Sequence, residues 1–292
     1  MSQVDDVPAR IAMLRGWLER RVSAEQLLWI DQRLSAISSE PRQRELSLAV
    51  ALAPRKLGKA DLELSADERA EAERVRAGLD TTGWSVDQTA RILFALASYK
   101  GDAAAFASGL DFIFQSGEIS EHIALLRGLP LYPASKQLVP RAAEGLRSAM
   151  GPVFESVAHR NPFPKEEFNE AQWNQMVLKA FFIESVLAPI QGIDERRNPD
   201  LASTLIDYVH ERWAAGRAVS PEIWRCIGPY VREQDLATLV KALRSNTEME
   251  ANAAALSLSE STLPAAQQAL KQHSAVVDRV ANQRITWNSI CR

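Results

Sequence analysis

A stripe of polar side chains at helical spacing contains the residue types that could bind a metal ion. In the segment "DLASTLIDYVHERWAAGR", Asp207 and His210 stand three residues apart, on a helix face separate from the apolar one. A carboxylate and an imidazole at that spacing can bind one metal ion, and His159 or Asp194 could complete the ligand set. The same spacing is common in solvent-facing stripes. The segment therefore predicts either part of a metal site or an exposed polar helix face.

A second group of polar residues lies in and beside an unusually apolar helix. The stretch "HRNPFPKEEFNEAQWNQMVLKAFFI", residues 159–183, begins as a proline-containing loop and continues as a helix from about residue 170. Apolar residues point in almost every direction around that helix, yet it contains Asn174, Gln175 and Lys179. A buried polar group without a partner costs about 1 to 3 kcal/mol. These three side chains therefore either bond neighbouring backbone and reach the surface, or line a pocket together with the preceding loop.

Two further segments supply charged and aromatic residues that can recognise a polar ligand. In the loop "IQGIDERRNPDL", Asp194 can pair with Arg160 or Arg197, although a solvated loop has the same composition. In "VSPEIWRCIGPYV", Arg225 can stack on an aromatic ring or bind a carboxylate, whereas Trp224 is expected in the core. All four segments together predict a polar and aromatic pocket. The candidate ligand-binding residues are His159, Arg160, Asn161, Trp173, Asn174, Lys179, Asp194, Arg197, Asp207, His210, Glu211 and Arg225.

Motifs of several well-known enzyme classes are missing from the sequence. It contains no phosphate-binding P-loop, no dinucleotide-binding glycine pattern after a strand, no GxSxG elbow, no HExxH zinc motif and no EF-hand loop. These absences exclude the easily recognised versions of those enzymes, and not enzymes in general. The sequence therefore assigns no catalytic residue, and no cofactor is predicted.

Composition and charge exclude other classes of protein. The chain has 292 residues, 46% of them hydrophobic, which is ample for a continuous core. Its net charge is −3 and no segment concentrates basic residues, so nucleic acid is not expected as a partner. Only Cys226 and Cys291 are present, far apart, which argues against a disulfide framework or a zinc ribbon. With neither a secretory signal pattern nor a transmembrane segment in the sequence, the expected location is cytoplasmic.

Helix signals recur along the whole chain, while strand signals are almost absent. Ser23, Ser65 and Ser85 each begin a capping box, in which the serine oxygen accepts a first-turn N–H and a later Glu or Gln reaches back. The best strand candidate is "LELS" at 62–65, which is short enough to be a loop. Prolines expected at helix starts are Pro8, Pro41, Pro199 and Pro221.

The helical pattern predicts an all-α fold of about 13–15 helices. In the last third of the chain, alanine-rich helices of similar length follow one another with two- to three-residue turns, which is typical of HEAT-type units. We therefore expect a right-handed helical array, a HEAT-like α-solenoid. Because no linker rich in glycine, serine or proline divides the chain, residues 1–292 are predicted as a single domain, with a possible division into halves at 1–150 and 151–292.

Three strings together carry a resemblance to a known family. They are "HRNPFPKEEFNEAQWNQMVLKAFF", "DYVHERWAAGR" and "SPEIWRC", which resemble the EboA family of bacterial metabolite-traffic proteins. The resemblance implies an α-helical cytosolic protein encoded beside prenyltransferase-like, sugar-phosphate-cyclase-like and TIM-barrel proteins, and linked to the synthesis or export of a small metabolite. It brings no catalytic residues with it, because the family has none assigned.

Residues and resemblance together favour a binding or scaffold protein. In this hypothesis the region from 159 to 225 holds a small polar metabolite, or docks a partner protein of the same gene cluster. The alternative is a metal-dependent enzyme of the same pathway that uses Asp207 and His210 with His159 or Asp194.

Overall fold

The fold is built from α-helices, as the sequence pattern predicts. The structure, a computed structural model, describes residues 6–39, 42–273, 277, 280, 282 and 284–290. These residues contain seventeen α-helices and no β-strand. The candidate strand at 62–65 is a loop, beside which Asp61 and Ser85 form an isolated antiparallel bridge. The prediction of 13–15 helices was too low because several helices are short, such as two of five residues each.

The chain divides into two compact units, Met1–Phe168 and Asn169–Arg292. The helices of unit 1 are α1 (Val7–Glu19), α2 (Ala24–Ile37), α3 (Arg42–Leu57), α4 (Ala66–Val75), α5 (Val86–Ala97), α6 (Ala103–Ser116), α7 (Ile119–Arg127), α8 (Ser135–Arg147), α9 (Gly151–Ala158) and α10 (Phe163–Glu167). The helices of unit 2 are α11 (Glu170–Phe182), α12 (Pro199–Ala214), α13 (Ile223–Ile227), α14 (Leu236–Leu243), α15 (Glu248–Glu260), α16 (Pro264–Lys271) and α17 (Trp287–Ile290). No helix in the described part of the chain combines the length and the apolar character needed to cross a bilayer.

Side-chain caps fix where several of these helices begin. Ser23 and Ser65 form the predicted capping boxes at α2 and α4, and Asn169 forms another at α11. Ser85 precedes α5 as expected but does not cap it, because its hydroxyl donates to Asp87 Oδ1 at 2.5 Å. Capping patterns therefore locate helix starts well, even where the hydrogen bond differs from the one expected.

Prolines mark helix starts less uniformly than serines do. Pro8 lies in the first turn of α1 and Pro199 is the first residue of α12, where the missing N–H costs no intrahelical bond. Pro221 instead lies in a turn, and α13 begins two residues later. The predicted start at Pro41 lies outside the described residues.

Unit 1 is organised around α5, whose residues are buried on nearly every side. Helices α1, α2, α3 and α7 pack around it, and Ile92, Leu93 and Phe94 have no exposed surface. Full burial of one such side chain contributes about 1.5 to 3 kcal/mol. Helix α5 is therefore the core of unit 1, and it positions the turn that precedes it and the helix α7 that packs against it.

Unit 2 is organised around the alanine-rich helix α15. Its residues 253–258 are all buried, and α13, α14, α16 and α17 pack against it. A Cβ added to Gly228 would lie 2.5 Å from the Ser257 carbonyl oxygen, so this close approach requires glycine. The predicted core residue Trp224 is fully buried. Burial also raises the pKa of Cys226 to about 12, which fits a structural thiol, while Cys291 lies outside the described residues.

Candidate functional site

A small polar cleft in unit 1 contains the first three predicted site residues. Its volume is about 70 Å³, enough for a few water molecules or one small charged group. The turn before α5, the last residue of α7, the end of α9 and the loop after α9 form its walls. The lining residues are Thr82, Trp84, Arg127, Glu155, Ser156, His159, Arg160 and Asn161.

Asn161 holds the backbone of this cleft in place. Its side chain is 3% exposed, and the amide nitrogen donates to the carbonyl oxygens of Leu126 at 3.3 Å and Ser156 at 3.1 Å. Its amide oxygen accepts the Phe163 N–H at 3.0 Å. One buried amide therefore joins the ends of α7 and α9 to the start of α10, which fixes the loop that carries His159 and Arg160.

Arg160 reaches the cleft from an exposed position just after α9. The helix ends at Ala158, and Arg160 has a left-handed backbone with φ +51°, the conformation in which many helices terminate. It forms an ion pair with Asp80 through a single contact of 3.6 Å from Nε to Oδ2, and the two side chains are 45% and 38% exposed. An exposed pair of this kind contributes about 0 to 1 kcal/mol, so another anion can replace the carboxylate at little cost.

Arg127 contributes a second guanidinium group, held more firmly. Nη1 donates to the carbonyl oxygen of Gly83 and to Gln88 Oε1, both at 2.6 Å. Burial lowers the pKa of Arg127, the positive charge of Arg160 lowers it further, and the Glu155 carboxylate acts in the opposite direction. The two guanidinium groups are thus close enough to repel each other, with His159 half-buried beside them.

A larger cleft of unit 1 is lined in part by charged residues that hold helix ends together. Its volume is about 680 Å³, and the nearly buried Arg91 is part of its wall. Arg91 donates to the carbonyl oxygens of Val50 at 2.9 Å and Ser120 at 3.0 Å, and lies 3.5 Å from Asp87. Glu121 accepts the Glu118 N–H at the start of α7. These contacts stabilise helix junctions, so Arg91 and Glu121 already have partners within the fold.

In unit 2 the strongest contact among predicted site residues joins Asp194 and Arg225. Arg225 donates from Nε and Nη2 to the two carboxylate oxygens, at 2.8 and 2.7 Å. These hydrogen bonds and the arginine charge hold the pKa of Asp194 below its ordinary value, although partial burial acts in the opposite direction. The predicted partners of Asp194 were Arg160 and Arg197. Arg197 does form an ion pair with Asp194, at 3.9 Å from Nη1, but the closer partner is Arg225, whose fork binds both oxygens.

Two neighbouring side chains complete this network. Arg197 donates to the carbonyl oxygens of Asp194 at 3.0 Å and Arg225 at 2.9 Å, and pairs with Glu260. Glu222, 5% exposed, accepts the N–H groups of Leu187 at 2.9 Å and Ala188 at 3.0 Å. The loop between α11 and α12 has no regular secondary structure, and these contacts supply the hydrogen bonds that a helix would otherwise provide.

Asn174 and Trp173 on α11 also contact that loop. Asn174 and Asn198 exchange two side-chain hydrogen bonds, of 3.1 and 2.8 Å, while Asn198 caps α12 through the Leu201 N–H. The guanidinium of Arg196 lies 4.7 Å from the centre of the Trp173 ring. The remaining predicted residue of this helix, Lys179, is half-buried. Asn174 therefore finds a partner in another side chain, and not in neighbouring backbone as one interpretation expected.

The polar stripe of α12 faces solvent. Asp207, His210 and Glu211 are all exposed, and His210 Nε2 is 2.7 Å from the Thr238 hydroxyl. Among the residues that the structure describes, no three His, Cys, Asp or Glu side chains are grouped closely enough to hold a metal ion. The metal-dependent alternative therefore has no ligand set in this part of the chain, since Asp194 is bound to Arg225.

Sequence reasoning missed the cleft residues that precede 159. Thr82, Trp84 and Arg127 come from a turn and a helix end that are distant in sequence from the loop after α9. Arg127 stands directly before Gly128, but no local pattern distinguishes it from an arginine in an ordinary last helical turn. In the same way, nothing in the sequence near Glu222 indicates that it binds two backbone N–H groups 34 and 35 residues away.

Comparisons with known proteins give one match. The family model described as "Metabolite traffic protein EboA" matches residues 10–228, about three quarters of the chain. The match covers the unit 1 cleft and extends in unit 2 through Arg225. No curated protein and no solved structure matches the chain.

Proposed function

Because the chain belongs to the EboA family of metabolite traffic proteins, we propose that it acts as a binding component that holds a small polar metabolite in the unit 1 cleft. The observation that carries this proposal is the pair of guanidinium groups, Arg127 and Arg160, at a cleft that also includes His159. The cleft supplies the fixed polar groups that orient a ligand, and its volume of about 70 Å³ suits one charged group of a larger molecule.

Rigid support for the cleft strengthens the proposal. Asn161 uses its amide in three hydrogen bonds to backbone, and Arg127 is fixed by Gly83 and Gln88. A pre-organised site loses less conformational entropy when a ligand binds. In contrast, Arg160 is exposed and only weakly paired, so it can adjust to the bound molecule.

The proposal can be tested by asking which molecules the protein retains. Purified protein is mixed with a small-molecule extract of bacterial cells, separated rapidly from unbound molecules, denatured and analysed by mass spectrometry. The cleft variant changes His159→Ala and Arg160→Ala together. The control is Arg147→Ala, because that arginine is 68% exposed and lies outside the cleft.

We expect at least one mass that the wild type and the control retain and the cleft variant loses. Circular dichroism of all three proteins checks that the helices are unchanged. Equal retention by all three proteins, or retention by none, would contradict the proposal.

Other parts of the sequence-based hypothesis remain predictions. They include the HEAT-like array, a single domain spanning the chain, a cytoplasmic location and a scaffold that docks partner proteins of the same gene cluster. The nine predicted site residues of unit 2 are part of that wider proposal. Of these, Asp207, His210 and Glu211 form an exposed group on α12 that a protein partner can reach.

A further inference from the structure

We propose that the group recognised by the unit 1 cleft is a phosphate group carried by a small metabolite, bound between the Arg127 and Arg160 guanidinium groups. This inference rests on the proposed function, because it names the chemical class of the ligand at the same site. It predicts that inorganic phosphate alone binds there.

The balance of charge between the two guanidinium groups favours an anion in the cleft. The Arg160 charge has a larger effect on the Arg127 guanidinium than the Glu155 carboxylate has, and the two effects are opposite in sign. Two neighbouring cations are stabilised when an anion lies between them. Arginine is well suited to this, since its planar fork offers two parallel N–H groups to phosphate oxygens.

The present partner of Arg160, the Asp80 carboxylate, is easily displaced. The Nε to Asp80 Oδ2 distance of 3.6 Å is longer than a charge-assisted hydrogen bond, and both side chains are more than one third exposed. Phosphate, with two formal charges near neutral pH and several acceptor oxygens, can replace a single carboxylate contact.

The size of the cleft also suits a phosphate group. A volume of about 70 Å³ accommodates a phosphate group but not a whole cofactor or a long chain. The ligand must therefore extend out of the cleft, with its phosphate at the inner end. Thr82 also lines the cleft, and its hydroxyl provides a further donor of the kind that binds phosphate oxygens.

Titration with inorganic phosphate tests this inference without knowledge of the metabolite. Backbone amide signals of the full chain are followed by NMR at constant ionic strength and pH, with acetate as the comparison anion. We expect saturable shifts for residues near 82–84 and 159–161. Arg160→Gln should weaken phosphate binding about tenfold or more, because hydrogen bonds to charged groups contribute that much. Arg147→Gln should leave it unchanged.

Two further variants separate binding from folding. Arg160→Gly removes the guanidinium and suits the left-handed backbone, so loss of phosphate binding in a folded protein would support the inference. Asp80→Asn removes the competing carboxylate and should tighten phosphate binding severalfold, a gain that a purely structural role for Asp80 would not produce.

Three outcomes would overturn the inference: no saturable shift in the wild type, equal phosphate affinity in the Arg160 variants, or acetate binding as tightly as phosphate. If a metabolite is retained by the cleft while phosphate fails to bind, the proposed function stands and this inference falls. If phosphate binds but no metabolite is retained, the proposed function falls, and only the recognition of phosphate by the cleft stands.

Discussion

Two ion pairs between arginine and aspartate in this protein have the same chemistry but differ in how closely the two side chains are paired and how exposed they are. In unit 2, Arg225 binds both oxygens of Asp194 at 2.8 and 2.7 Å, and its side chain is 9% exposed. In unit 1, Arg160 makes one contact of 3.6 Å to Asp80 from a side chain that is 45% exposed. The first pair has its charge satisfied by the fold, whereas the second retains most of its capacity to bind something else.

We infer from this difference that the degree of pairing, and not residue type alone, separates the proposed binding cleft from a structural ion pair. Arg225, Arg197 and Glu222 make their hydrogen bonds with a loop that lacks regular secondary structure. These bonds therefore stabilise the fold. The cleft is supported by a buried asparagine and a fixed Arg127, while Arg160 remains accessible. This comparison predicts that substitutions in the network change stability, and that substitutions in the cleft change binding.

The largest effect is expected from Glu222→Ala in the unit 2 network. The substitution leaves the Leu187 N–H buried without its acceptor and removes a second bond to Ala188. Each lost acceptor costs about 1 to 3 kcal/mol, so the free energy of unfolding should fall by about 3 kcal/mol. Urea denaturation followed by circular dichroism measures this change.

Two control variants separate the loss of the acceptor oxygens from a general effect of substitution. Glu222→Gln retains one acceptor oxygen and should lose about half as much stability, whereas Glu211→Ala, on the exposed side of α12, should change it by less than about 0.5 kcal/mol. A Glu222→Ala protein as stable as the wild type would mean that the loop is held by other contacts, and the comparison between the two regions would fail.

A smaller effect, dependent on pH, is expected from Asp194→Asn. Because the folded state holds the pKa of Asp194 below its ordinary value of 3.8, the carboxylate stabilises the fold above that value. The contribution is lost as the pH falls through the lower, folded-state pKa. Asp194 is 44% exposed, so we expect only about 1 kcal/mol at neutral pH.

Denaturation of wild type and Asp194→Asn across the pH range checks the sign of this effect. The two stabilities should differ most at neutral pH and converge in acid, where both proteins lack the negative charge. A difference that stays constant down to pH 2 would show that the substitution acts through packing, and not through the Arg225 ion pair.

Local patterns predicted the helices and much of their starting positions. Ser23, Ser65 and Asn169 cap helices because a capping box needs only residues within one turn, which the sequence displays directly. The family resemblance was also confirmed, since long mixed strings of polar and aromatic residues are specific.

The site was harder to predict because its contacts join distant segments. Arg127 reaches the loop at 159–161 through the packing of α7 and α9, and Arg225 is 31 residues from Asp194. The sequence placed all twelve candidates in one pocket on the basis of residue type. The structure distributes them between two units, with His159, Arg160 and Asn161 in unit 1 and the others in unit 2.

The smallest effect, and the one of opposite sign, is expected from Arg160→Gly. The φ of +51° is unfavourable for a residue with a side chain, so glycine should raise the free energy of unfolding by about 0.5 to 1 kcal/mol. Glu184 has φ +57° just after α11 and provides a matched control, since Glu184→Gly should give a similar gain in unit 2.

Only one of these two variants should alter binding. Both glycines relieve the same backbone strain, but Arg160→Gly also removes a guanidinium from the cleft, so it alone should lose affinity for phosphate. If both variants are more stable and both bind phosphate as the wild type does, Arg160 is simply a residue that ends a helix. A gain in stability together with a loss of binding would instead show that the chain retains arginine, at a cost to its fold, where glycine fits the backbone better.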